Sequence, residues 1–168
     1  MGTLLLLRHA KSSWDDPSLA DIDRPLAPRG EKAARTIARY LLEKRVRPDL
    51  VLCSTSRRTR QTFEAIEPSL GRHAQVEYEQ GLYGASADEL LARLRTVSPE
   101  VSTVLVLGHN PGMQDLALLL AGGGARLDRL REKFPTAALA TLSAGDRWAD
   151  LKAGDAELLD YVVPRELG

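Results

Sequence analysis

The residues best suited to chemistry in this sequence lie in three short polar clusters, each directly after an apolar run. These clusters span residues 8–14, 54–62 and 108–112. The first opens with Arg8 and His9, the second contains Arg58, and the third contains His109. A neutral imidazole is a competent nucleophile toward phosphorus, and arginine neutralises charge on transferring phosphoryl oxygens. Two histidines and two arginines therefore suggest phosphoryl transfer, if the fold brings the clusters together.

The second cluster places arginine side chains at positions 57, 58 and 60, within the first turn of a predicted helix. The helix dipole already puts positive charge at this end, so the arrangement is unfavourable unless an anion binds there. Pairing with Glu64 and Glu67, or simple solvation, is the alternative for any one of the three. Because the three lie on different helical faces, we expect only one to point into a site.

Short apolar runs alternating with longer helical patterns indicate the elements that carry these clusters. The predicted strands are Thr3 to Arg8, Leu50 to Cys53 and Thr103 to Gly108. The predicted helices cover Gly30 to Lys44, Arg57 to Leu70 and Ala87 to Val97, with a fourth beginning near Pro111 and capped by Asn110. Ligands of open α/β sheets bind at the carboxyl ends of the strands, so the polar clusters should meet there.

The C-terminal part of the chain has a different pattern. Two strand-like runs, Ala137 to Leu142 and Trp148 to Leu151, flank a turn signal and predict an antiparallel hairpin, and Leu158 to Val163 predicts a further strand. The glycines at 122–124 indicate a flexible loop tip. We therefore predict an α/β fold, a three-layer α/β/α sandwich whose mostly parallel sheet carries an antiparallel element, in one domain over residues 1–168.

Composition narrows the function classes. The chain has 23 Lys plus Arg against 23 Asp plus Glu, which argues against broad binding to nucleic acid or anionic lipid and leaves room only for a focused anion site. The apolar run from Leu4 to Leu7 is far shorter than the ~20 residues of a membrane span, and the lone Cys53 fits a reducing compartment. We expect a cytoplasmic protein without membrane contact.

Seven short motifs follow one another in order along nearly the whole chain, at residues 8–14, 23–26, 29–30, 54–62, 82–83, 108–112 and 134–137. In these motifs the sequence resembles the histidine phosphatase superfamily, which has a phosphoglycerate-mutase-like fold, and within it the small SixA-type phosphohistidine phosphatases. The dipeptide Arg-His alone occurs often by chance, but this ordered set of motifs at compatible spacing is a specific match.

The resemblance implies a role for each matching residue. His9 would be the nucleophile that becomes phosphorylated, Arg8 and Arg58 would clamp the phosphoryl group, and His109 would stabilise the transition state. Arg24 and Asn110 would contact the substrate. The family uses no metal or other cofactor, and the sequence shows no close His, Cys and carboxylate spacing typical of a catalytic metal site.

The resemblance is weakest at the proton donor. Mutase-like members carry a glutamate in the middle of the chain, and the only similar acid here is Glu79, in a context that matches poorly. A weak donor fits an N-phosphorylated substrate, because an imidazole leaving group has a reference pKa near 6.5 and departs more easily than an alkoxide. The expected function is therefore removal of phosphate from phosphohistidine on a protein.

Several alternatives remain beside this expectation. They are a small-metabolite phosphomonoesterase or a mutase of the same superfamily, with a small phosphorylated substrate in place of a protein, and a non-catalytic phosphate-binding module. A cysteine-dependent phosphatase fails on spacing, because Thr59 stands where an arginine would be needed after Cys53. A P-loop nucleotide binder fails because residues 108–112 lack the Gly-Lys-Ser/Thr ending.

Overall fold

Seven strands form one sheet in the computed structural model, which describes residues 2–167. They are β1 (Gly2–Arg8), β2 (Leu50–Ser54), β3 (Gln75–Glu79), β4 (Thr103–Gly108), β5 (Ala121–Gly124), β6 (Leu139–Gly145) and β7 (Ala156–Val162), in the spatial order β3-β2-β4-β1-β6-β7-β5. All pairings are parallel except those that β6 makes with β1 and β7. The predicted mostly parallel sheet with an antiparallel element is confirmed.

Helices cover both faces of this sheet. They are α1 (Pro28–Glu43), α2 (Arg57–Ile66), α3 (Ala87–Leu94), α4 (Gly112–Leu120) and α5 (Leu127–Glu132). In β1, Leu4 and Leu6 pack into a core with α3, α4 and α5, whereas Leu5 and Leu7 pack into a second core with α1 and α2. Successive side chains of a strand point to opposite faces, which explains why the central strands are continuous apolar runs. The three-layer prediction is confirmed.

The prediction for the C-terminal hairpin was wrong in its second strand. Trp148–Asp150 forms a 3-10 turn, whose buried Trp148 donates an Nε1–H hydrogen bond to the Val101 carbonyl at 2.7 Å. The antiparallel partner of β6 is β7 instead. Tertiary packing of the indole decides this, because a run of four residues is too short to show a periodicity of its own.

The glycine segment was also predicted wrongly as a loop tip. Residues 121–124 form the edge strand β5, which pairs in parallel with β7. A Cβ on Gly122 would lie 2.2 Å from the Gly154 carbonyl oxygen, so the backbones approach too closely for a larger residue. The polar edge strand β3 and the short helix α5 were not predicted, since β3 is at most half-buried along its length and lacks a clear apolar pattern.

The sheet brings the three polar clusters to one edge. Strand β4 lies between β1 and β2, with Arg8 opposite Gly108 and Cys53 opposite Leu107. The backbone N–H of His9 then donates to the Gly108 carbonyl at 3.1 Å. The first, second and third clusters therefore leave adjacent strands side by side. Among residues 2–167, no helix is both long and apolar enough to cross a membrane.

Candidate active site

A cavity of about 310 Å³ opens at this edge of the sheet. Six of the seven site residues predicted from the sequence line it, namely Arg8, His9, Arg24, Arg58, His109 and Asn110. Lys11, Ser12, Trp14 and Thr136 complete the lining. Of these lining residues none is an aspartate or glutamate, so the cavity carries a concentration of positive charge in a chain whose net charge is zero.

The His9 ring is fixed in one tautomer by its neighbours. Its Nδ1 lies 2.7 Å from the Ala10 carbonyl oxygen, which can only accept, so Nδ1 carries the proton. Its Nε2 accepts from the Arg58 Nε–H at 3.4 Å. Burial above all, together with the adjacent His109, Arg58 and Arg8, lowers the pKa of His9 to about 3. At neutral pH the imidazole is therefore uncharged, with the Nε2 lone pair beside the cavity cations.

His109 faces His9 across the cavity, with ring centroids 5.2 Å apart. Its Nδ1 lies 3.5 Å from an Arg58 terminal nitrogen, which can only donate, and its Nε2 lies 2.8 Å from Ser54 Oγ. Burial and the Arg58 charge lower the pKa of His109 to about 4. Because the buried Ser54 hydroxyl can donate as well as accept, His109 can exchange tautomers and present Nδ1–H to an anion.

Helix α2 positions Arg58 and leaves its arginine neighbours outside. Ser56 caps the helix by accepting a hydrogen bond from the Thr59 backbone N–H at 3.3 Å. Arg58 is only 6% exposed, whereas Arg57 and Arg60 are exposed on other faces. One arginine of the three thus enters the cavity, as the helical spacing predicted.

Arg8 supplies a second guanidinium with spare donor capacity. Its terminal nitrogen donates to the Phe134 carbonyl at 3.0 Å, which fixes the side chain against the loop before β6. Its Nε is buried and has no hydrogen-bond partner within the described chain. A buried unpaired donor is costly, so its presence in a cationic cavity is best explained by a ligand that it binds.

Asp21 is a site residue that the sequence analysis missed. Arg58 donates to its backbone carbonyl at 2.7 Å and to its carboxylate at 3.0 Å, and the Tyr83 hydroxyl also donates to that carboxylate. Arg24 Nε donates to it at 3.2 Å. The Tyr83 hydrogen bond and the two arginines lower the pKa of Asp21 to about 2, so it is ionised at neutral pH. The i, i+3 spacing of Asp21 and Arg24 was the available signal.

Arg24 and Trp14 form the mouth of the cavity. The Arg24 guanidinium is buried and its central carbon lies 3.4 Å from the centroid of the Trp14 ring, close enough for a cation–π contact. Trp14 itself is 75% exposed, which is unusual for a large aromatic residue. The rim of the cavity is therefore an aromatic surface held in place by a buried cation.

Asn110 fixes the loop of the third cluster by hydrogen bonds and is not the N-cap of the following helix. Helix α4 begins at Gly112, one residue later than an Asn110 cap would place it. Even so, Asn110 Oδ1 accepts from the Gln114 backbone N–H at 3.2 Å, and Nδ2 donates to the Phe134 carbonyl at 3.0 Å. These bonds connect the loop after β4 to the carbonyl that Arg8 also uses.

Glu79, the seventh predicted residue, does not line the cavity. It ends β3, and its carboxylate accepts from Arg93 at 2.9 Å from Nε and 2.8 Å from a terminal nitrogen. This two-pronged ion pair with α3 occupies both oxygens. The structure therefore does not bring the candidate proton donor to the histidines. Within residues 2–167, no group of three or more His, Cys, Asp and Glu side chains is arranged to hold a metal ion.

Comparison with known proteins identifies the family. The model of the histidine phosphatase superfamily, branch 1, matches residues 4–110. An uncharacterized protein of Mycobacterium tuberculosis is 40% identical over 163 residues, which are 95% of this chain and 100% of that protein.

Two solved SixA structures are similar over almost their whole length. The SixA of Nakamurella multipartitia has a TM-score of 0.81 at 36% identity and covers 97% of this chain and 96% of its own. The SixA of Agrobacterium tumefaciens has a TM-score of 0.81 at 31% identity, with 97% and 98% covered. The paired histidines and arginines, the sheet that assembles them and these matches together show that this chain belongs to the histidine phosphatase superfamily, with a SixA-like fold.

Proposed function

We propose that this protein removes the phosphoryl group from phosphohistidine on a polypeptide, through a covalent phosphohistidine at His9 and without a metal ion. The observation that carries the proposal is the His9 imidazole, which is neutral and has its Nε2 lone pair beside Arg58. The related SixA structures bear the name phosphohistidine phosphatase, and that supports the same chemistry here.

The cavity suits a phosphoryl group because its donors converge from separate elements. Arg58 comes from α2, Arg8 from β1, and His109 from the loop after β4. Arg8 has its Nε free, and each terminal Arg58 nitrogen carries two N–H groups, of which Asp21 takes only part. Fixed donors of this kind stabilise the negative oxygens of a transferring phosphoryl group.

The missing acid favours a nitrogen leaving group. No carboxyl side chain is among the described residues that line the cavity, and the nearby Asp21 is held ionised by Tyr83 and two arginines. Glu79 is paired with Arg93 elsewhere. An alkoxide leaving group needs protonation in the transition state, whereas imidazole, with a reference pKa near 6.5, needs far less assistance.

The mouth of the cavity suits a residue presented on a protein surface. Trp14 stands exposed at the rim, over the buried Arg24 guanidinium. An incoming imidazole ring can stack on the free face of this indole, as aromatic rings do at centroid distances of about 4.5–7 Å. We therefore assign Trp14 and Arg24 to contact with the leaving side chain.

The reaction then has two displacements at phosphorus. In the first, the His9 Nε2 lone pair forms a bond to phosphorus while the bond to the substrate imidazole nitrogen breaks, and that nitrogen takes a proton from solvent. In the second, water attacks phosphorus, the bond to Nε2 breaks, and inorganic phosphate leaves. Solvent takes up the proton that the attacking water loses. His9 Nδ1–H stays on the Ala10 carbonyl throughout, so the ring keeps its orientation.

A direct test compares leaving groups on the same peptide. The purified chain is incubated with a phosphohistidine peptide and with its phosphoserine counterpart, with EDTA present, and phosphate release is measured. We expect the phosphohistidine peptide to be hydrolysed at least ~100-fold faster, because only its leaving group departs without an acid. Equal rates on both peptides, or loss of activity in EDTA that added metal restores, would contradict the proposal.

Controls separate this activity from a contaminant. His9→Ala removes the proposed nucleophile and should abolish release from both peptides. Arg57→Ala removes an exposed arginine of the same helix turn and should leave the rates unchanged. Residual activity in His9→Ala equal to that of the unaltered chain would place the catalyst elsewhere.

A further inference from the structure

A second cavity of about 260 Å³ lies beside the catalytic one and shares Lys11 and Thr136 with it. Four cationic side chains line it, Lys11, Arg29, Lys133 and Arg165, together with Ala33, Pro135, Thr136, Val163 and Pro164. We name this feature the cationic groove. None of the described residues in its lining is an aspartate or glutamate.

The four cations come from four separate parts of the chain. Lys11 follows β1, Arg29 lies in the first turn of α1, Lys133 follows α5, and Arg165 lies in the C-terminal 3-10 turn. A Cβ on Gly30 would lie 2.1 Å from the Lys11 carbonyl oxygen, so only glycine lets the start of α1 pack this closely against the loop. This contact brings Arg29 next to Lys11.

These charges have no acidic partner of their own in the structure. Within residues 2–167, no carboxylate oxygen lies within 4.0 Å of a side-chain nitrogen of any of the four cations. Glu166, the acid next to Arg165 in sequence, is paired with Arg129 instead. Like charges placed together repel one another. In a chain of zero net charge, four unpaired cations around one groove indicate an anionic ligand.

The exposure of the cations indicates what kind of anion they suit. In the catalytic cavity, Arg58 and Arg24 are only 6% and 7% exposed, and both donate hydrogen bonds to Asp21, so their guanidinium groups are held in place. All four cations of the cationic groove are exposed instead. Long exposed side chains around an open groove suit several carboxylates spread along a chain better than one small dianion.

We propose that the cationic groove binds acidic side chains that flank the phosphorylated residue of a polypeptide substrate. This inference rests on the proposed function and deepens it, since the groove would select among phosphohistidine polypeptides. The shared residues Lys11 and Thr136 make the groove continuous with the catalytic cavity, so a chain whose phosphorylated side chain enters the cavity would pass along the groove. The apolar residues of its lining, among them Ala33 and Val163, would contact the backbone of that chain.

The test uses binding as well as turnover. Two fluorescein-labelled peptides carry the same non-hydrolysable phosphonotriazole mimic of phosphohistidine, one flanked by glutamates and the other by glutamines. Fluorescence anisotropy gives the Kd of each peptide for the full chain at low and high NaCl. We expect the glutamate peptide to bind about tenfold more tightly at ~50 mM salt and to lose most of that advantage at ~500 mM, because exposed charges are screened.

A matched pair of double variants locates the effect. Lys133→Ala with Arg165→Ala removes two groove cations and should reduce the preference for the glutamate peptide about fivefold. Arg72→Ala with Lys152→Ala removes the same charge from exposed positions that precede β3 and β7, outside the groove lining, and should leave the preference unchanged.

Each outcome decides one of the two proposals. Equal Kd values for the two peptides, no binding by either, or a full preference in the groove variant would overturn the cationic groove. Micromolar inorganic phosphate that abolishes the preference for the glutamate peptide while leaving the Kd of the glutamine peptide unchanged would show a compact anion site in the groove and overturn the polypeptide assignment. If true phosphohistidine peptides are not hydrolysed, the proposed function fails, while the binding comparison still decides the groove.

Discussion

Replacing Arg58 by alanine removes the side chain that connects most of the candidate site. Its Nε–H donates to His9, one terminal nitrogen lies near His109, and both terminal nitrogens donate to Asp21. If Arg58 neutralises charge on the transferring phosphoryl group, its loss should lower kcat by about 10³- to 10⁵-fold, the range for arginines in this role. Each factor of ten corresponds to ~1.4 kcal/mol, so the barrier should rise by about 4–7 kcal/mol.

The shape of the guanidinium makes a more specific expectation possible. Arg58→Lys keeps the positive charge, but one ammonium cannot reach His9 and Asp21 in the fork that the structure shows. The lysine variant should therefore recover only part of the lost rate. Arg57→Ala, at the preceding exposed position, is the matched control and should keep the full rate.

The assay is phosphate release from a phosphohistidine peptide under single-turnover conditions, which separates the chemical step from product release. Circular dichroism during thermal unfolding checks that each variant is folded, since Asp21 keeps its bonds to Arg24 and Tyr83 when Arg58 is lost. A rate for Arg58→Ala within tenfold of the unaltered chain would refute the clamp. Equal rates for the alanine and lysine variants would contradict the expected partial recovery, because the positive charge by itself would then contribute nothing.

Three further predictions concern the histidines and the donor. During turnover, a phosphoryl label that is stable to base and labile to acid should appear on the protein, so the reaction is quenched without acid. The label should be absent in His9→Ala, and a label that persists in that variant would assign the nucleophile elsewhere. Glu79→Gln should leave the hydrolysis of alkyl esters and of phosphohistidine unchanged, because Glu79 is paired with Arg93 outside the cavity; a selective fall with alkyl esters would make Glu79 the missing acid. The chain has three histidines, so their imidazole NMR signals can be assigned from single variants. The His9 signal should titrate far below pH 6.5, near its lowered pKa of about 3, and should move upward in Arg58→Ala, because a buried cavity that gains water and loses a cation favours the charged ring; a His9 signal that titrates at its ordinary value would remove the neutral-nucleophile argument.

The strands that hold the clusters could be predicted from sequence because each is buried on both faces. The runs from Thr3, Leu50 and Thr103 are apolar at almost every position. This pattern can be recognised without knowing which strands lie beside them. The polar residues directly after these runs could then be placed at one edge by the rule for parallel strands. His9, Arg8, Arg58 and His109 became candidates together for this reason.

Local patterns failed where a long-range contact decides the structure. The run from Trp148 is strand-like by composition, but its indole is bonded to Val101 and buried, so the backbone turns. The glycines at 122–124 are loop-like by composition, but β7 supplies a parallel partner at a close backbone approach. Composition alone carries no information about either partner.

The sequence by itself determined the fold class, the family resemblance and the cluster of histidine and arginine, because these depend on residue type and on spacing along the chain. Only the tertiary structure decided which charges meet. It paired Glu79 with Arg93, placed Asp21 against Arg58, and gathered Lys11, Arg29, Lys133 and Arg165 around one groove. Electrostatic interactions depend on distance through space, and residues more than a hundred positions apart become neighbours only after the sheet has formed.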